Sequence, residues 1–203
     1  MKSKSTKPRY KTLCPSLPLT TRIKEGLPRL ILDRLPENQQ LTDSGWCKVL
    51  DSQGGFLRWG VVDMFNNAMH LISSSEKDPH IDFASRVEDA INKRSELKIS
   101  EGEVIRLVNG TGDNLSGFTL DSYGSTLILS LESFLLADMV DYNLHKVMAT
   151  LNPEHIVLKI REKGRKVKGK LQERTLLGIP TEEKIRVQES EISYLVQPMG
   201  SLD

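Results

Sequence analysis

The sequence has few of the features that would indicate a metal centre, a membrane span or a strongly charged protein. Its 203 residues include two cysteines, Cys14 and Cys47, and no C-x-x-C pair, which argues against a zinc site. No apolar run approaches the roughly 18 residues of a membrane helix. The net charge is +1, so the molecule as a whole is not a polycation. A surface for nucleic acid would therefore need local clustering of Lys and Arg.

Arrangements of side chains that would indicate catalysis are also missing. No G-x-S-x-G segment occurs, and no Ser-His-Asp arrangement can be argued from the chain order. The glycine-rich segment 109–117 has the wrong spacing for a G-x-G-x-x-G loop and leads into a predicted strand, so we interpret it as a tight connection between strands. Four histidines are scattered without an i,i+4 pair that could bind a metal: His70, His80, His145 and His155. We predict no catalytic, cofactor-binding or metal-binding residue in this chain.

The N-terminal segment is basic and poor in acid. Its first 24 residues hold seven Lys or Arg, and the first acidic residue is Glu25. With its prolines, this composition predicts a disordered basic tail over residues 1–27. The same composition also fits an organellar targeting segment. Because the two cysteines favour a reducing compartment, we expect a cytoplasmic protein, with an organelle as the alternative.

The first part of the chain after this tail has the pattern of a small β domain. Asp51 to Gly55 is rich in residues that tolerate a positive φ, which predicts a hairpin turn between two strands. The polar stretch 73–80 is the predicted junction, so the first domain covers residues 28–78. Four strands are indicated by short apolar runs, at residues 30–32, 46–50, 56–62 and 69–72.

The second part, residues 79–197, mixes helices and strands and is predicted to be α+β. A helix has Phe83, Val87, Ala90 and Ile91 on one face, with Asp82 placed to cap it. A second apolar stripe predicts one long helix over residues 133–151. Strands are predicted at residues 104–108, 117–120, 126–131 and 156–160, and a hairpin at 185–196.

One segment of this second domain carries a strong local charge. Between residues 159 and 174 eight positive side chains face only Glu162 and Glu173, a local net charge of +6. Gly164 and Gly169 make the segment a loop rather than a helix. Clustered Lys and Arg that can adapt to a backbone suit phosphate contacts, and a solvated loop is the alternative. The positive residues are Lys159, Arg161, Lys163, Arg165, Lys166, Lys168, Lys170 and Arg174.

Three consecutive segments then form a recognisable series. Leu107-Val108-Asn109-Gly110, Asp113-Asn114-Leu115-Ser116-Gly117-Phe118 and Leu120-Asp121-Ser122-Tyr123-Gly124 together resemble the signature R-L-V-h-G-E-x-D-G-L-P-G-L-x-V-D-x-Y-G. That signature belongs to the PUA-containing, S-adenosylmethionine (SAM)-dependent methyltransferases that modify cytosine at its 5-position in large-subunit ribosomal RNA. The stretch from Val49 to Gly60 resembles the PUA hairpin of the same family. Thr111 and Asn114 depart from the pattern, which has Glu and Gly there.

The resemblance implies a fold, a partner and a cofactor. It implies a small PUA-like β-barrel followed by a domain of strands packed with one long helix, and it implies binding of large-subunit ribosomal RNA. SAM is the cofactor of the intact family, and none is expected in this chain. Besides the run from Arg161 to Lys170, we include Lys48 and Arg58 of the PUA-like domain as RNA-binding candidates. If Lys48 and Arg58 lie on the same face of the molecule as the basic run, this would support RNA binding.

In the family a Rossmann-like catalytic domain follows, and residues 198–203 correspond to its start. We therefore expect no methyl transfer by this chain alone; a fragment, a truncated product and half of a split enzyme all fit. Expected partners are RNA and either a separate catalytic domain or a second copy, with no membrane. Two other functions stay open: a protein-interaction module that kept the fold without RNA binding, and an enzyme with an unrecognised site.

Overall fold

The computed structural model of the chain describes residues 10–95, 103–161, 171–178, 184–189 and 192–198. Strands dominate, and they form two five-stranded sheets and one two-stranded sheet, accompanied by a few short helices. The predicted α+β class is confirmed.

The first sheet contains the four predicted N-terminal strands and one more. The strands are β1 (Lys11–Leu13), β2 (Arg29–Ile31), β3 (Gly45–Leu50), β4 (Phe56–Asp63) and β5 (Ala68–Ser73). Their order in the sheet is β1-β3-β4-β5-β2, with β1 parallel to β3 and the other pairs antiparallel. In the part of the chain that the structure describes, β1 and β2 are the two ends of this order, so the sheet is not the closed barrel that we predicted.

The segment predicted as a tail is folded from residue 10 onward. The strand β1 pairs with β3, and helix α1 (Leu17–Lys24) follows it with Pro18 in its first turn. Proline is well tolerated there because the first helical N–H groups have no intrahelical acceptor. Thr20 and Ile23 are buried. The tail prediction was wrong for this stretch because Pro18 lies in the first turn of a helix, and because β1 pairs with residues more than thirty positions away.

The second sheet is built from the C-terminal half of the described chain. Its strands are β6 (Val104–Asn109), β7 (Phe118–Tyr123), β8 (Thr126–Leu131), β9 (His155–Arg161) and β10 (Leu171–Leu177). Their order is β10-β9-β8-β7-β6, with β8 and β9 parallel and the other pairs antiparallel. The sequence did not predict β10, which carries three consecutive polar residues in its first half. A separate hairpin joins β11 (Ile185–Glu189) to β12 (Ile192–Val196).

Helix α2 (Pro79–Ser95) confirms the first predicted helix but begins differently. Its start is capped by Asp78, whose Oδ1 accepts from the backbone N–H groups of His80 and Ile81 at 2.9 and 3.3 Å. Asp82 does not cap the helix. Its carboxylate instead accepts from the backbone N–H of Ser74 and pairs with Arg86 one turn later.

The predicted long helix over residues 133–151 is two helices. A 3-10 helix, Phe134–Met139, ends at Val140, and α3 (Tyr142–Ala149) begins after Asp141. The Asp141 carboxylate accepts from the backbone N–H of Leu144 at 3.1 Å, which is an N-cap bond. This cap starts a new helix in the middle of the stripe, so the prediction of one helix was wrong although its apolar residues face inward.

The core forms two clusters that share the first sheet. The larger cluster lies among α2, α3 and the second sheet, and it includes Val61 and Ile72 of the first sheet. The smaller cluster fills the opposite side of the first sheet with α1, and it contains Cys47 and Val49. The first sheet is therefore buried on both faces. Among the described helices, none has the length and apolar character needed to cross a bilayer.

Candidate nucleic-acid interface

The two ends of the basic run lie in neighbouring strands of the second sheet. Arg161 at the end of β9 is the register partner of Leu171 at the start of the edge strand β10. The side chain of Arg161 is not described. The remaining predicted contacts lie outside the described residues: Lys163, Arg165, Lys166, Lys168 and Lys170.

Lys48 lies on an aromatic surface of the first sheet. Its Nζ is 4.9 Å from the ring centroid of Trp59, its cross-strand partner, and 6.0 Å from that of Phe56. The same Nζ is 3.5 Å from Oε1 of Glu76, and the Lys48 side chain is 31% exposed. Lys48 thus presents a cation stacked on an aromatic ring, with part of its charge compensated.

Arg58 has a different environment from Lys48. It is half-buried on β4, and burial lowers the pKa of its guanidinium, while the Asp82 carboxylate raises it. Arg86 of α2 is close enough to interact with it electrostatically. Arg58 therefore interacts with charged side chains of α2, whereas Lys48 pairs with Glu76. Whether either residue shares a face with the basic run stays a prediction.

An aromatic group around Trp59 was missed by the sequence analysis. The ring centroids of Tyr10, Trp46 and Phe56 lie 4.7, 6.0 and 6.0 Å from that of Trp59. Trp46 also donates through Nε1 to Oδ2 of Asp138 at 3.1 Å. The predicted hairpin turn places β3 beside β4, but a register shift between Val49 and Leu50 decides that Lys48 faces Trp59, and Tyr10 arrives with the unpredicted β1. Aromatic rings beside a cation are side chains of the kind that bind unpaired bases.

The residues that carry the family signature have structural roles here. Arg94 of α2 donates to both carboxylate oxygens of Asp113, at 3.2 and 2.9 Å. Asp113 also accepts from the backbone N–H of Asn109 at 2.6 Å, which closes the turn between β6 and β7. Arg106 and Asp121 form a second bidentate pair across these strands, at 2.7 and 3.3 Å. Asp113 holds the glycine-rich connection in place, which agrees with its interpretation as a tight link between strands, and the Arg106–Asp121 pair ties the two strands together.

Two signature glycines are required by geometry. Gly117 has φ +78°, and a Cβ there would lie 2.6 Å from Cδ1 of Leu136 and 2.7 Å from Cε1 of His70. Gly124 has φ +61° in the turn between β7 and β8. The Gly117 end of the segment therefore packs tightly against Leu136 and His70.

The fold has relatives among solved structures. One is described as "a putative SAM-dependent methyltransferase from Streptococcus mutans"; it matches with a TM-score of 0.73 at 20% identity, covering 92% of this chain and 48% of that chain. Another, SMU.776, is "a putative methyltransferase complexed with SAH"; it matches with a TM-score of 0.70 at 19% identity, again covering 92% of this chain and 48% of that chain. No protein-family model and no curated protein matches the sequence.

These matches concern the fold. Almost the whole of this chain shares the architecture of part of a methyltransferase structure, and the chain spans about half the length of the structures it matches. This agrees with the methyltransferase fold that the signature at residues 107–124 led us to expect.

Proposed function

We propose that this chain supplies the RNA-binding portion of a SAM-dependent ribosomal RNA (cytosine-5) methyltransferase, with large-subunit ribosomal RNA as its partner. In this proposal the first sheet is a PUA-like module, although its strands form an open sheet. The second sheet presents the basic run to the RNA. The signature at residues 107–124 and the fold shared with methyltransferase structures support the methyltransferase context.

The charge of the basic run, whose two ends lie on β9 and β10, is the observation that carries this proposal. Eight positive side chains against two carboxylates occur in a chain whose net charge is +1, so the run is a strong local concentration of positive charge. The run begins and ends on β9 and β10, whose terminal residues Arg161 and Leu171 are paired. Its two ends are therefore fixed at a sheet edge, which would reduce the conformational entropy lost when phosphates bind.

The aromatic group of the first sheet offers a second, different contact. Tyr10 is 46% exposed and stacks edge-on against Trp59, with Lys48 over the same ring system. Bases stack on aromatic rings with little sequence selectivity. Phosphate contacts by the run and stacking near Tyr10 would together give modest affinity with weak sequence preference.

The proposal assigns RNA binding, and not methyl transfer, to this chain. The glycine-rich segment leads into the strand β7, whereas a Rossmann-type donor site needs such a segment to open a helix. We expect no micromolar binding of SAM, which isothermal calorimetry with the purified chain measures directly. Micromolar binding with a defined stoichiometry would favour the third possibility, an enzyme with an unrecognised site.

A charge-neutralising triple variant tests the RNA-binding proposal. Arg165→Gln, Lys166→Gln and Lys168→Gln are combined, and binding to a ribosomal RNA fragment is titrated at several salt concentrations. For single-stranded RNA the log–log slope is about −0.7 per phosphate contact, so the triple variant should flatten it by roughly two units. The matched control combines Lys24→Gln, Lys93→Gln and Lys146→Gln, which removes the same charge from exposed helix positions.

The result distinguishes RNA binding from the alternative, a protein-interaction module. A weaker, flatter salt dependence for the run variant, with the control close to the parent, supports the proposal. If the parent chain and both variants give superimposable curves, the run is a solvated loop. The protein-interaction module then becomes the better account of the chain.

A further inference from the structure

A cavity of about 300 Å³ lies between α1 and the segment that contains β2. Eleven residues line it, and none of them is Asp or Glu. Three are arginines: Arg22 of α1, Arg29 of β2 and Arg34 shortly after it. An accumulation of guanidinium groups without a lining carboxylate gives the cavity a positive potential. It lies in the first sheet and its helix, and so belongs to a different part of the fold from the basic run.

The rest of the lining is apolar and well anchored. Leu30 and Leu35 are buried members of the smaller core, and Leu19 and Leu27 pack against that core. The apolar walls are thus fixed by the same contacts that hold α1 on the first sheet. An apolar wall with a few convergent polar groups is the usual composition of a small-ligand site, and the volume is at the lower end of the range for such sites, about 300–1,000 Å³.

The three arginines differ in how well they are compensated. Arg29 pairs through Nη1 with Oε2 of Glu132 at 3.3 Å, but its Nε is buried and has no hydrogen-bond partner in the described structure. Arg22 and Arg34 are exposed, and within the described residues neither side chain has an ion pair or a hydrogen bond. Two guanidinium groups therefore remain uncompensated, and one buried N–H donor lacks an acceptor.

We propose that this cavity binds a phosphate group carried on an RNA nucleotide. Arg22 and Arg34 would hold the phosphate, because the planar guanidinium presents paired donors that match phosphate oxygens. The nucleoside would lie against the leucine walls. This inference rests on the proposed RNA binding, and it adds a second contact site on the first sheet.

The RNA test uses a double variant of the two exposed arginines. Arg22→Gln with Arg34→Gln should weaken binding of a single-stranded RNA about tenfold, the size of one charge-assisted hydrogen bond. It should flatten the log–log salt slope by about 0.7 for one phosphate contact. The control, Lys24→Gln with Arg186→Gln, removes the same charge at exposed positions outside the cavity. Equal losses in both double variants would overturn the inference, since the effect would then be that of overall charge.

A second measurement separates this inference from the proposed function. Inorganic phosphate and uridine monophosphate are titrated into the intact chain while the arginine Nε–H signals are followed by NMR. We expect saturable shifts of the Arg22, Arg29 and Arg34 signals, at lower concentration for the nucleotide than for phosphate. If the run variant loses RNA binding but these signals do not move, the cavity inference is wrong and the proposed function stands. If the chain binds no RNA but the signals saturate with the nucleotide, the site exists and the proposed function is wrong.

Discussion

The imidazole Nδ1 of His70 lies 3.0 Å from the hydroxyl oxygen of Ser116, in a fully buried contact between the two halves of the molecule. His70 belongs to β5 of the first sheet, and Ser116 precedes β7 of the second. The next residue, Gly117, has no room for a Cβ against the imidazole ring. The two sheets are thus joined by a close-packed polar contact as well as by their shared apolar core.

The buried histidine predicts a pH-dependent stability. Burial, with a contribution from nearby Arg29, lowers the pKa of His70 from its ordinary 6.5 to about 4. Between pH 4 and pH 6.5, His70 binds a proton in the unfolded chain but not in the folded chain. The contribution of the buried, neutral His70 to the free energy of unfolding is therefore complete above pH 6.5 and is lost as the pH falls towards 4. The free energy of unfolding should decrease by about 3 kcal/mol over this range. Urea unfolding of the parent and His70→Gln at pH 4.5 and 7 measures it; an equally steep decrease in the variant would contradict the assignment.

Leu144 should be a major contributor to the stability of the second domain. It is fully buried in the larger core, on α3. Leu144→Ala should lower the free energy of unfolding by about 2–5 kcal/mol, because it leaves a cavity in a packed interior. Tyr142→Ala on the same helix is the control, since Tyr142 is 79% exposed and should change stability by no more than about 0.5 kcal/mol. Chemical denaturation of both variants tests this, and similar effects in the two would contradict the packing.

Substitutions of Gly124 should destabilise the protein because of the backbone conformation at this position, and not because of a steric clash. Its φ is +61°, and no atom outside its chain neighbours lies within 4 Å of where a Cβ would be. Gly124→Val should destabilise by more than the ~1–2 kcal/mol typical of a left-handed L-residue, since β-branching adds strain. Gly124→Asn should cost less, because asparagine tolerates this region. Thermal unfolding gives the comparison, and equal losses for the two substitutions would show that φ is not the cause.

The two cysteines should react at very different rates. Burial raises the pKa of the Cys47 thiol to about 12, whereas Cys14 is exposed. Only the thiolate is nucleophilic, so a thiol reagent at neutral pH should label one cysteine in the folded chain and two after denaturation. The Cys14→Ser variant should show almost no labelling until it unfolds. Rapid reaction of folded Cys14→Ser would mean that the β3 region opens readily.

The predicted interface was recoverable from the sequence only in part. The charge of the 159–174 run needed no structure, because it is a property of consecutive residues. Lys48 and Arg58 were chosen as a pair from their charge, yet one stacks on Trp59 and pairs with Glu76, and the other interacts with Asp82 and Arg86. Their partners come from other elements, which the local pattern of β3 and β4 does not identify.

The sequence by itself determined the elements whose cause is local. The β3–β4 hairpin, the helical face of α2 and the glycine at position 124 follow from periodicity and turn chemistry within a few residues. The tertiary structure alone decided the features that depend on distant residues. These are the parallel pairing of β1 with β3, the position of β10 at the sheet edge and the grouping of Arg22, Arg29 and Arg34 around one cavity. The physical reason is that strand pairing and side-chain clustering are stabilised by contacts between residues that are far apart in the sequence. The residues that flank each contact in the sequence do not indicate its partner.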